Sequence, residues 1–198
     1  MKLSQLIEAA KPLSIDDGAH TNRTDPEIRS VHYRAQDVQP GGLFVAIAGH
    51  AADGHDFIDA AIKKGAAAVV SQRELKEEIL NIQVADTRQT LADIAACFYG
   101  RPSERLTVIG ITGTNGKTTT AYLAESILQQ AGCFVGVIGT INYRYAGKFF
   151  DNPITTPESL DLQRILADML QAGVTHVIME VSSHAIDLYR IRSCWFDM

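Results

Sequence analysis

The 198-residue sequence has little cysteine: Cys97, Cys133 and Cys194 stand alone, with no Cys-x-x-Cys pair. That excludes a disulfide framework and a cysteine-built zinc site, and it predicts small core thiols in a reducing cytoplasm. No apolar run approaches the length needed to cross a bilayer. The first residues, Met1-Lys2-Leu3-Ser4-Gln5-Leu6-Ile7-Glu8, lack the long apolar core of a signal peptide. No membrane insertion and a cytoplasmic location are therefore expected. Excess positive charge is also missing: 18 Lys and Arg stand against 23 Asp and Glu, a net charge of −5. General attraction to nucleic acid is excluded, so any phosphate recognition must be local. What remains is 46% hydrophobic and 21% charged, an ordinary globular composition. The length suits one large domain or two small ones.

Periodicity and breakers predict alternating helices and strands. Leu3, Leu6, Ile7 and Ala10 fit one face of a helix stopped by Pro12. Residues 14 to 28 read as a loop, 29 to 34 as a strand, and 43 to 48 as a buried strand. Asp53 to Lys64 reads as a helix ended by Gly65, followed by strands at 66–70 and 82–85 and a helix at 87–99. Gly100-Arg101-Pro102-Ser103 breaks the pattern and marks a domain boundary, giving domains at 1–102 and 103–198. Beyond it come a strand at 106–112, a helix at 118–131, a strand at 133–138 and a hairpin at 142–150. A helix follows, begun by Thr156 as N-cap with Pro157 and Glu158 behind it and ended by Gly173, then an apolar strand at 174–181. Residues 191 to 198 read as the start of another strand. The expected fold is α/β with a mainly parallel sheet in the second domain. So few strands would leave an exposed sheet edge, and the chain reads as part of a longer protein.

The strongest chemical signal is Gly110-Ile111-Thr112-Gly113-Thr114-Asn115-Gly116-Lys117-Thr118-Thr119-Thr120, between an apolar strand and a helix. Strand, glycine loop, Lys-Thr and helix is how a chain holds nucleotide phosphates. Glycines let backbone N–H groups approach the oxygens, and the helix N-terminus adds a favourable dipole. Lys117 can reach the β- and γ-phosphates, and the Thr118 hydroxyl can ligate Mg²⁺. The pattern G-x-x-x-x-G-K-[ST] would put a glycine at 111, where Ile111 stands. Val177-Ile178-Met179-Glu180 places a carboxylate at the C-terminal end of a buried strand, the edge where α/β sheets bind ligands. Glu180 there can hold Mg²⁺ directly or through water. The alternative is a strand-end glutamate facing solvent.

The loop Thr112-Gly113-Thr114-Asn115-Gly116-Lys117-Thr118-Thr119 resembles that of the Mur ligase superfamily, which includes the cell-wall amino-acid-adding ligases and folylpolyglutamate synthetase. Three further segments resemble its tripeptide-synthetase (MurE-type) branch: Gly49-His50-Ala51-Ala52-Asp53-Gly54-His55, Thr155-Thr156-Pro157, and Glu180-Val181-Ser182-Ser183-His184 leading to Arg190. The resemblance spans nearly the whole chain. It implies a small N-terminal α/β domain for the UDP-substrate and an incomplete central P-loop domain for ATP. The implied reaction is ATP-dependent addition of a diamino acid, meso-diaminopimelate or L-lysine, to UDP-N-acetylmuramoyl-L-alanyl-D-glutamate through an acyl phosphate, in peptidoglycan synthesis. It implies Mg²⁺, a monomer, and ATP phosphates held by Gly113, Thr114, Asn115, Gly116, Lys117, Thr118 and Thr119, with Lys117 catalytic. Thr118 and Glu180 would hold the metal. Val31, Tyr33, His50, Ala51, Ala52, Thr155, Thr156, Ser182 and Arg190 would hold the UDP-muramoyl substrate. In this family the amino-acid-binding domain follows the region matched here, so the chain alone is expected to be inactive. Two positions depart from the branch: His32-Tyr33-Arg34 replaces Asp-Ser-Arg, and Leu188 replaces a glutamine. Other readings are a different ligase of the superfamily or a non-catalytic nucleotide-binding module.

Overall fold

A computed structural model describes residues 1–16, 25–49, 52–76 and 78–198. The chain forms two compact units, Met1–Phe98 and Tyr99–Met198.

The first unit runs α1 (Leu3–Ala10), β1 (Ser14–Asp16), β2 (Val31–His32), β3 (Leu43–Val45), α2 (Ile58–Lys63), β4 (Ala68–Ser71), β5 (Asn81–Gln83) and α3 (Thr87–Phe98). Its sheet has the order β1-β5-β4-β3-β2. Only β1 is antiparallel to its neighbour. Every residue of β3 and β4 is buried, which is why these segments are uniformly apolar or small rather than alternating. The loop expected over 14–28 contains β1, three exposed residues, too short a run for alternation to mark a strand. The strand expected over 29–34 shortens to Val31–His32. The helix expected over 53–64 is split. Asp53 accepts a hydrogen bond from the His55 N–H and starts a 3₁₀ turn, Gly54–Phe57, before α2 begins. Gly65, at φ +90, ends it as expected.

The second unit runs β6 (Thr107–Ile111), α4 (Lys117–Gln130), β7 (Val135–Ile138), β8 (Asn142–Tyr145), β9 (Lys148–Asp151), α5 (Ser159–Gln171), β10 (His176–Glu180) and α6 (Ser183–Asp187). The order is β6-β10-β7-β8-β9. β6, β10 and β7 are parallel, and β8–β9 is the expected hairpin. β10 lies between β6 and β7, with Val177, Ile178 and Met179 fully buried. Leu162, Ile165, Leu166 and Met169 of α5 lie one or two turns apart on one helix face and join Val177 and Met179 in the core. Residues 191–198 do not form a strand, because Tyr189 and Ser193 take left-handed φ of 55 and 60 that break extended chain. They still cover the outer side of β6: Asp197 N–H donates to the Val108 carbonyl, and Gly110 N–H to that of Met198. The edge expected to be bare is thus partly paired.

The three cysteines are free thiols and half-buried rather than core residues. Burial still pushes the Cys194 thiol up to about 12.

Candidate functional site

β6 and β10 bring the two strongest sequence signals level with each other. Ile111 pairs with Glu180 in parallel register, and Val181 N–H donates to the Ile111 carbonyl. The strand therefore runs on through position 111, where the general P-loop pattern has its first glycine. The turn begins later, at Gly113 (φ +142), and ends at Gly116 (φ +80). Both φ values strain any residue with a Cβ. Gly116 stands at the N-cap of α4 and offers no side-chain cap, so the first helical N–H groups point out of the helix end without one. Lys117 folds back over this loop and donates to the Gly113 carbonyl at 2.8 Å.

Glu180 does not face solvent. It is 2% exposed, and its carboxylate accepts from the Thr118 hydroxyl at 2.9 Å, the Thr140 hydroxyl at 3.0 Å and the Thr140 N–H at 3.2 Å. Thr118 and Glu180 are thereby brought together across 62 positions of sequence. A threonine hydroxyl has a single proton, and giving it to Glu180 leaves the oxygen lone pairs free. Hydroxyl plus carboxylate is a hard-oxygen set that fits Mg²⁺. Among the described residues no group of three or more His, Cys, Asp or Glu could hold a metal. A cation here would depend on phosphate and water for its other ligands, which is how Mg²⁺ binds beside nucleotides.

The Thr-Thr-Pro and Ser-Ser-His segments lie beside this edge, but their side chains are used differently from the sequence expectation. Thr156 is not the N-cap of α5; Glu158 is, accepting from the Ser159 N–H. Thr156 is 1% exposed, donates to the Glu180 carbonyl and accepts from the Ser182 N–H. It ties two loops together. Thr155 is half-buried, its hydroxyl 3.2 Å from that of Thr140. Ser182 caps α6 through the Ala185 N–H. Arg190 pairs with the buried Glu158 at 3.6 Å and donates to the Thr156 carbonyl at 3.3 Å, so a carboxylate of the chain already faces it. Leu188, in the glutamine position, is half-buried.

In the first unit an apolar groove of about 460 Å³ is lined by Tyr33, Phe44, Ile47, Ala52, Phe57 and their neighbours. The Arg34 guanidinium lies 5.1 Å from the Tyr33 ring centroid and donates to its hydroxyl at 2.9 Å. Val31, expected at the substrate, is instead 6% exposed in β2. Ala52 is exposed, its carbonyl accepting from the Gly49 N–H. His50 and Ala51 lie outside the described residues.

Two groups escaped the sequence reading. Thr140 follows β7 with no flanking signal. His55 belongs to the Gly-His segment but was given no role. Its ring is buried, with Nδ1 2.6 Å from Asp53 and Nε2 accepting the Gln72 N–H at 3.0 Å. The amide fixes the tautomer, so Nδ1 carries the proton and donates to Asp53. The His55 N–H, ahead of its ring, holds the Asp53 carboxyl below its ordinary value.

Residues 27–99 match the model for the Mur ligase family, catalytic domain, and residues 111–198 that for the Mur ligase middle domain. The chain is 44% identical over 200 residues to a UDP-N-acetylmuramoyl-L-alanyl-D-glutamate--2,6-diaminopimelate ligase of Geobacter sulfurreducens, covering 100% of this chain and 38% of that protein. A solved structure described by the same ligase name superposes with a TM-score of 0.73 at 26% identity, over 88% of this chain and 37% of that one. The MurF ligase of Thermotoga maritima in complex with ADP superposes with a TM-score of 0.55 at 28% identity, over 78% and 32%. The chain spans less than two fifths of the length of the Geobacter sulfurreducens relative. With matching models over both units and relatives along its whole length, the chain belongs to the Mur ligase family.

Proposed function

We propose that this chain carries the UDP-muramoyl-substrate-binding and ATP-binding parts of a ligase that joins a diamino acid to UDP-N-acetylmuramoyl-L-alanyl-D-glutamate. The names of the relatives favour 2,6-diaminopimelate. The observation that carries the reading is the convergence of Gly113–Thr119, Lys117, Thr118 and Glu180 at one sheet edge. The ADP bound to the Thermotoga maritima relative supports the nucleotide assignment.

In the proposed reaction the glutamate γ-carboxylate attacks the γ-phosphorus of ATP. An O–P bond forms, the bond to ADP breaks, and an acyl phosphate results. The amine then attacks the acyl carbon, loses a proton, and phosphate leaves. The chemistry needs positioning and charge neutralisation more than a nucleophilic side chain. Loop N–H groups and the α4 dipole would hold the phosphates, and Lys117 would exchange its Gly113 carbonyl partner for phosphate oxygen. Thr118 and Glu180 would hold Mg²⁺, which supplies neutralisation of phosphate charge when bound. Thr155 and Ser182 are the hydroxyls beside this edge left for the muramoyl peptide. Thr156 and Arg190 would shape that site through the loops they tie. The groove at Tyr33 would take the uridine. A cytoplasmic monomer without nucleic-acid partners is part of the same proposal; the net charge of −5 supports only the last point.

Calorimetric titration of the chain with a non-hydrolysable ATP analogue and, separately, with the UDP-dipeptide tests this. Both ligands are expected to bind. Nucleotide binding without UDP-dipeptide binding would replace the ligase reading with a plain nucleotide-binding module.

A further inference from the structure

We propose that Thr140, with Gly139 before it, is the positioning element for Glu180. The proposal rests on the reading that Thr118 and Glu180 receive a Mg–nucleotide. Thr140 supplies two of the three hydrogen bonds described on this carboxylate, one to each oxygen: its N–H to Oε1 and its hydroxyl to Oε2. A carboxylate gripped at both oxygens cannot rotate about its terminal bond without losing one of them. Oε2 therefore stays aligned with the Thr118 hydroxyl. Gly139 makes this grip possible. A Cβ on it would lie 2.4 Å from Glu180 Oε1, closer than any real contact, so only glycine lets the carboxylate sit against this turn. The turn is itself held on both sides. Gly139 N–H donates to the Asn142 carbonyl, and the Gly139 carbonyl accepts from the Asn152 side chain at 2.8 Å.

The proton count fixes the direction of the chain of hydroxyls. Thr140 spends its one hydroxyl proton on Glu180, so it can only accept from Thr155, 3.2 Å away. Thr155 thus orients Thr140, Thr140 orients Glu180, and Glu180 orients Thr118. In this arrangement Thr140 acts on the site through Glu180.

The test uses the 198-residue chain titrated with ADP in Mg²⁺ and in a chelator, with thermal melting of each variant. Thr140→Val keeps the shape and loses the hydroxyl. It is expected to weaken binding about tenfold or more in Mg²⁺ and to match wild type in chelator, the size of a hydrogen bond to a charged group. Thr140→Ser, which keeps the hydroxyl, is expected to restore most of the loss. Gly139→Ala is expected to behave as Thr140→Val does. Thr155→Val removes the group that orients Thr140 and is expected to give a smaller loss of ADP binding in Mg²⁺ alone; it carries the test should Thr140→Val not fold. Thr140→Val or Thr155→Val binding as tightly as wild type in Mg²⁺, an equal loss in chelator, or failure of Thr140→Ser to rescue would each overturn the proposal. A wild-type chain that binds no ADP at all would overturn the proposed function with it, whereas wild-type binding unaffected by these variants overturns this inference alone.

Discussion

Tyr33 presents an aromatic face on an apolar groove, held in place by the Arg34 guanidinium above its ring. Stacking of a uracil on that face gives a measurable contribution. Tyr33→Ala is expected to weaken UDP-dipeptide binding by roughly 1–3 kcal/mol, by analogy with base stacking on aromatic side chains elsewhere. Calorimetry reads it, and an unchanged affinity would leave Tyr33 as a strand-end residue only. At this scale the sequence was legible where one residue type answers one backbone demand. Gly113 and Gly116 do sit at positive φ, and Gly65 and Gly173 do end helices. It was not legible where a hydroxyl chooses among partners. Thr156 has the right type and spacing for an N-cap, yet a buried strand end two loops away claims it. Arg190, expected to hold the substrate, also faces the carboxylate of Glu158. Thr140 carried no signal, because its importance lies in which strand β7 adjoins.

At the scale of elements, the β8–β9 hairpin is tied to α4 by a buried ion pair. Arg144 donates to both carboxylate oxygens of Glu125 and to the Asn142 side chain, and its guanidinium lies 4.2 Å from the Tyr122 ring centroid. The side chains of Arg144 and Glu125 are 8% and 14% exposed. Removing one partner leaves a buried charge alone, which costs more than the pair contributes. Arg144→Ala is expected to destabilise the second unit by about 3–5 kcal/mol in urea unfolding, and the double variant Arg144→Met/Glu125→Leu by less. A double variant as damaged as the single one would contradict this account. The hairpin was readable from its polar and aromatic run, α3 from apolar spacing along one face, and α5 from its start and stop signals, Pro157-Glu158 and Gly173. β1 and α2 were misread for a common reason. Short elements depend on their neighbours: β1 exists because β5 pairs with it, and α2 starts late because Asp53 caps a 3₁₀ turn first.

For the molecule as a whole, the order of motifs along the chain was readable because each motif is local, while their meeting was not. Register between β6 and β10 sets Ile111 against Glu180 and so makes one site out of the loop and the strand end. That meeting is the central claim, and nucleotide titration of wild type, Lys117→Ala and Glu180→Gln, in Mg²⁺ and in chelator, tests it most directly. Lys117→Ala is expected to weaken binding in both conditions, and Glu180→Gln in Mg²⁺ only, each by about 1.5–3 kcal/mol. Glu180→Gln that binds like wild type in Mg²⁺, or Lys117→Ala that binds like wild type in both, would contradict a shared Mg–nucleotide site at this edge.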